Sequence, residues 1–213
     1  MDASAPSRPV DGDAAAAQQR GRRLEFFTLG WNSFEAVIAI SAAALAGSAA
    51  LLGFGLDSLI ESLSALVLLW RLQHDDERGR AREKLAQRLV GWSLLALAGL
   101  VAYEAIELLI TGEHPAVSYV GIALAVASVI VMPLLARAKR RVAARINSDA
   151  LHADSKQTDI CAYLSAILLA GLGLHALFGW WWADSVAAVA MVPIIVWEGV
   201  NALRNKSCGC GSG

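Results

Sequence analysis

The sequence predicts an all-α integral membrane bundle of six transmembrane helices, on three observations. Hydrophobic residues make up 56% of the 213 against 17% charged, and mean hydropathy is +0.51, a balance foreign to an ordinary soluble domain. Six apolar runs, at about 26–47, 50–70, 90–111, 117–136, 157–178 and 183–203, approach the roughly 20 residues needed to cross about 30 Å of hydrocarbon. All but one of the 18 Lys and Arg fall in the two tails and in the second and fourth connections, and none in the first, third or fifth. That alternation follows the positive-inside rule and predicts both termini in the cytoplasm, at the plasma membrane if the cell is bacterial. The remaining cation, Lys156, starts the fifth run and has the reach to snorkel.

Taken in order, residues 1–23 carry Pro6, Pro9 and an Ala/Gln stretch with no compact apolar segment, and are expected as a disordered cytoplasmic tail. Residues 24–203 form the membrane domain, and residues 204–213 a short cytoplasmic tail. The first span carries Asn32 and Glu35 on one face, placed either to line a path or, for Asn32, to hydrogen-bond a neighbouring helix. The second reads GLDSLIESLSALVLL, with Asp57 and Glu61 one turn apart on one face and Ser58 and Ser62 beside them. Each ionised acid at bilayer depth is unfavourable by a few kcal/mol, so a use for the charge is expected. No Lys or Arg within spans one to four or six is available to pair with them.

The third span places Glu104 and Glu107 toward its outer end. The fifth bears a polar stripe, Asp154, Gln157, Thr158, Cys161 and Ser165, at spacings of three and four. Such a stripe faces the bundle interior, as packing or, through carboxylate, amide oxygen and thiolate, as cation ligands. His152 and Asp159 flank it on other faces. Asp184 opens the sixth span near the outer surface, just after Trp180, Trp181 and Trp182, while Trp31, Trp70, Trp92 and Trp197 lie toward the opposite ends, an aromatic belt on each side. Cys208 and Cys210 belong to the tail, where two thiols alone do not complete a tetrahedral metal site.

Spans two and five run antiparallel in this topology, and counting about 1.5 Å per residue puts both polar pairs in the middle third of the bilayer. Asp57 is then level with Cys161 and Glu61 with Gln157, so four candidate ligands for a divalent metal share one depth, with Asp154, Asn32 and Glu35 as secondary candidates.

The pattern resembles the transmembrane domain of the cation diffusion facilitator family from about residue 24 to 203. AGSAALLGFGLDSLIES is similar to the family's second-helix segment, and Asp57 and Glu61 occupy the two places of its Asp-x-x-x-Asp metal pair. SDALHADSKQTDICAYLS is similar to the fifth-helix segment, with Gln157 at the family His, Cys161 at the family Asp and Ser165 at the later Ser. The resemblance implies a homodimer with one path per protomer, exporting a divalent metal, most commonly zinc, in exchange for protons. It also implies a cytoplasmic metal-binding domain after the sixth helix, where about ten residues remain.

A carboxylate site of this kind binds metal only when deprotonated, so metal and protons compete, which is the chemical basis of antiport. Alternating access around a midplane site turns that competition into transport, and a Cys161 thiolate biases it toward softer metals. The rival reading is a non-transporting scaffold or sensor with the same fold and a degenerate metal site, for which the Gln157 and Cys161 departures speak. An enzyme is not expected, since no His-rich cluster or Ser/Lys dyad is present, and neither a resident cofactor nor a nucleic-acid partner is implied.

Overall fold

The computed structural model describes residues 11–71, 77–146 and 149–204, so Cys208, Cys210 and residues 1–10 lie outside the described residues. Its six helices are α1 (Asp11–Ala46), α2 (Ala49–Arg71), α3 (Glu77–Thr111), α4 (Tyr119–Ile146), α5 (Asp149–Phe178) and α6 (Trp182–Leu203), and among the described residues there is no strand. Five of them are long and apolar enough to cross a membrane. The other, α2, has 23 residues, which at about 1.5 Å each also reaches across about 30 Å of hydrocarbon.

At one end of the bundle the helices stop where the apolar runs stop. Gly47, Gly112 and Gly179 follow α1, α3 and α5 with φ of 67°, 70° and 69°, a left-handed conformation that only glycine adopts without steric cost. Their amides close the last turns, Gly47 onto the Ala43 carbonyl at 2.8 Å and Gly179 onto that of His175 at 3.0 Å. Trp180 and Trp182 stack at 5.3 Å at this same end, and Trp181 lies 4.6 Å from the His114 ring.

At the other end four of the helices, α1, α3, α4 and α5, outrun their apolar segments, whereas α2 and α6 stop with theirs. Residues 11–23, expected as disordered tail, are the first turns of α1; α3 begins at Glu77, α4 continues to Ile146, and α5 begins at Asp149. The physical reason is composition: Ala, Arg, Glu, Lys and Gln dominate these stretches and are strong helix formers, so the helix persists past the hydrocarbon.

In packing, α1 touches α2 and α4, α4 touches α5, α5 touches α6, α6 touches α3 and α3 touches α2, which closes a ring. Across its interior α2 also meets α5 and α6. Small residues set the close approaches: a Cβ on Gly91 of α3 would stand 2.9 Å from the Gly199 carbonyl oxygen of α6, so the two backbones touch there.

The distribution of polarity is inverted relative to a soluble protein. Asn32, Glu35, Ser58, Ser128, Lys139 and Asp184 are fully buried, whereas Leu45, Ile110, Ile130, Leu177 and Trp197 are exposed on the outside. An apolar exterior around a polar interior is the arrangement that lipid demands, and the chain is read as an integral membrane protein.

Candidate cation site

The buried stripe of α2 runs through Phe54, Asp57, Ser58, Glu61, Ser62 and Ala65. Ser58 and Ser62 donate their hydroxyls to the Phe54 and Ser58 carbonyls, at 3.1 and 2.9 Å, and Ser62 also accepts the Ser33 hydroxyl of α1 at 3.5 Å. The acids have no such outlet. Asp57 and Glu61 are 5% and 4% exposed, and neither carboxylate oxygen of Glu61 has a hydrogen-bond partner.

Around this pair the neighbouring helices contribute more acid than base. From α1, Glu35 is fully buried and accepts a hydrogen bond from Ser128 of α4 through one oxygen, the other being unpartnered. One turn earlier on that face, Asn32 is also fully buried, with both amide atoms unpartnered. From α5, Cys161 is 1% exposed, and its charge neighbours are Glu61, Glu35 and Asp57. Ser165 donates to the Cys161 carbonyl at 2.7 Å. Gln157, one turn before Cys161, is only half-buried.

Two contributions escape the sequence reading. Glu198 continues the buried stripe of α6 through Ala188, Met191 and Ile195, and its charge neighbours are Asp57 and Glu61. A lone acid inside an apolar run is a functional candidate by default, and that signal was available at Glu198. The second is Lys139. Its place among the arginines of the fourth connection assigns it to the cytoplasm, yet α4 carries it into the bundle, where it is 0% exposed. The expectation that no cation is available to the acids is thereby corrected: Lys139 is among the charge neighbours of Glu61.

Asp154, a secondary ligand candidate, gives its carboxylate to Lys139, whose ammonium also lies 3.4 Å from Glu25 and 3.4 Å from the Thr158 hydroxyl. Asp159 forms a separate, partly exposed ion pair with Arg140. Asp184 lies in the first turn of α6, as its place after the tryptophan cluster leads one to expect, and its side chain is fully buried there. Ser48 donates to its carboxylate at 2.5 Å, and Ser48 in turn accepts the Leu51 amide at 3.1 Å, so together they cap α2.

Asp57, Glu61 and Cys161 thus share one polar interior with Glu35 and Glu198, while Asp154 belongs to a neighbouring ion cluster. Among the described residues no group of three or more His, Cys, Asp or Glu is gathered as it would be to hold a metal ion. The acids act on one another through their fields, not as a closed coordination shell.

Comparison with known proteins supplies the lineage. The chain is 29% identical over 174 residues to the uncharacterized transporter sll1263 of Synechocystis sp., covering 78% of this chain and 56% of that protein. It is 26% identical over 157 residues to the cation-efflux pump FieF of Shewanella oneidensis, covering 70% and 53%. The chain therefore spans a little over half the length of the curated relatives it matches. The pattern of the cation efflux transmembrane domain matches residues 26–207, from within α1 to beyond the end of α6, and the chain belongs to the cation efflux family of membrane transporters.

Proposed function

We propose that this protein is a secondary transporter of divalent metal cations, zinc or a similar transition metal, which it expels by proton antiport. The single observation that carries the reading is Glu61, buried in a membrane bundle with both carboxylate oxygens unpartnered and Asp57 one turn away on the same face. Such a pair is costly unless a cation or protons answer its charge. Asp57 and Glu61 hold the metal, Cys161 supplies a soft ligand and Gln157 an amide oxygen; Asn32 and Glu35 line the path. Because the ligands bind metal only when deprotonated, protons reaching the site from one side release the metal there. The membrane domain, residues 24–203, works as a homodimer with one path per protomer and both termini of the chain on the cytoplasmic face, at the plasma membrane if the cell is bacterial. The test is metal-loaded vesicle flux with zinc, cadmium, cobalt and manganese under an imposed pH gradient. Flux of zinc that stops when the gradient collapses is the expected result.

A second reading, a non-transporting scaffold or sensor, is favoured by one observation: no three potential ligands are gathered among the described residues. It predicts normal assembly, no flux for any ion of that panel, and no loss of function from Asp57→Asn or Glu61→Gln.

A further inference from the structure

Lys139 is the feature that the transport reading leaves unexplained. Its ammonium is entirely buried and surrounded by Asp154 of α5, Glu25 of α1 at 3.4 Å and the Thr158 hydroxyl at 3.4 Å. It lies about two turns before α4 ends, beside the second turn of α5 and about four turns into α1, toward the end of the bundle rich in basic residues. Thr158 lies one turn from Cys161 on α5, so the ammonium stands between that end and the buried acids. Glu61 is among the charge neighbours of both Lys139 and Asp154.

We propose that Lys139 is a tethered cation that weakens the hold of the Asp57–Glu61 site on the transported metal, with Glu25 and Asp154 setting how much of its charge the site feels. This rests on the reading that Asp57 and Glu61 hold the cargo; Lys139 is a positioning residue and does not touch the metal. A fixed positive charge a few turns from a divalent ion in low dielectric repels it twice as strongly as it repels a monovalent one. The device therefore limits how tightly the metal binds and speeds its release. A mere clamp between α1, α4 and α5 has no such consequence.

The two ideas separate by sign. Lys139→Gln removes the repulsion and is expected to lower the Kd for zinc by about tenfold, while slowing turnover. Glu25→Gln leaves Lys139 paired with Asp154 but strips away one screening carboxylate, and is expected to raise the Kd several-fold. Lys139→Arg keeps the charge and the wild-type Kd. Zinc titration of the full-length, detergent-solubilised variants reads all three, and the Glu25→Gln arm carries the test by itself if Lys139→Gln does not fold. Unchanged or same-direction shifts in Lys139→Gln and Glu25→Gln, with binding still lost in Asp57→Asn, Glu61→Gln, overturn this inference and leave the site reading intact. Binding that survives Asp57→Asn, Glu61→Gln overturns both.

Discussion

Two sets of buried acids lie in this bundle, and they differ in what answers their charge. Near the basic end, Glu25 and Asp154 flank the ammonium of Lys139, so protein supplies the counter-cation. In the interior, Glu35 accepts from Ser128, with Ser58 and Trp31 beside it, whereas Glu61 has, among the described residues, only the Cys161 thiol and a lysine that is already engaged by the other set. A buried carboxylate with a partner is an element of structure, and removing its partner leaves a stranded charge. A buried carboxylate without one is a demand for an external cation or a proton. The same residue types in the same bundle thus have opposite expected responses to mutation.

The largest effect should come from the unanswered set. Asp57→Asn or Glu61→Gln is expected to abolish metal flux while leaving thermal stability unchanged or raised, because an amide is cheaper to bury than an unpaired acid. Flux in vesicles and melting in detergent, measured on the same preparations, check both halves. In the answered set the order reverses: Lys139→Gln is expected to cost about 3 kcal/mol of stability by stranding Glu25 and Asp154, read as a lowered melting temperature. If both substitutions move stability in the same direction, the distinction between the two sets is lost.

Smaller effects sharpen the comparison. Cys161→Asp, which replaces sulfur with oxygen, should retain divalent transport and shift preference from cadmium toward manganese; unchanged selectivity across that panel would remove Cys161 from the ligand set. Glu198→Gln should raise the KM for the metal several-fold with the maximal rate little changed, since Glu198 adds negative field to Asp57 and Glu61 without standing in a shared coordination shell. The smallest change belongs to the far end, where Ser48→Ala removes the cap of α2 and the hydrogen bond to Asp184. A loss of about 1 kcal/mol is expected there, with transport unaffected.

How much of this was legible in the sequence depends on which end of the bundle is considered. The helix stops at Gly47, Gly112 and Gly179 were legible from the limits of the apolar runs, whereas the Ser48–Asp184 cap at the same end was not, because it joins residues far apart in the chain. The opposite end was not, because hydropathy reports where lipid stops, whereas Ala, Arg and Glu let the helix go on. That is why Lys139, counted with its neighbouring arginines as a cytoplasmic loop residue, proved to be inside. Asp57 and Glu61 were legible from their spacing of four in an apolar run. Glu198 was visible as a charge in the sixth run, but without a second acid at helical spacing nothing in the sequence joined it to α2; only packing of α6 on α2 does so. The partner of Asp154 was illegible for the same reason, since Lys139 reaches it from α4 and is shared with Glu25 of α1.

On the proposed function, the unanswered carboxylates exchange protons for a divalent metal. Its most direct test is a zinc titration of the detergent-solubilised protein in weakly buffered solution near neutral pH, recording bound metal and released protons together. The account predicts that the wild type binds zinc and releases protons as it does so, and that the Asp57→Asn, Glu61→Gln double variant, folded and equally stable, does neither. Zinc binding with no proton release in the wild type, or binding and release undiminished in the double variant, would contradict it.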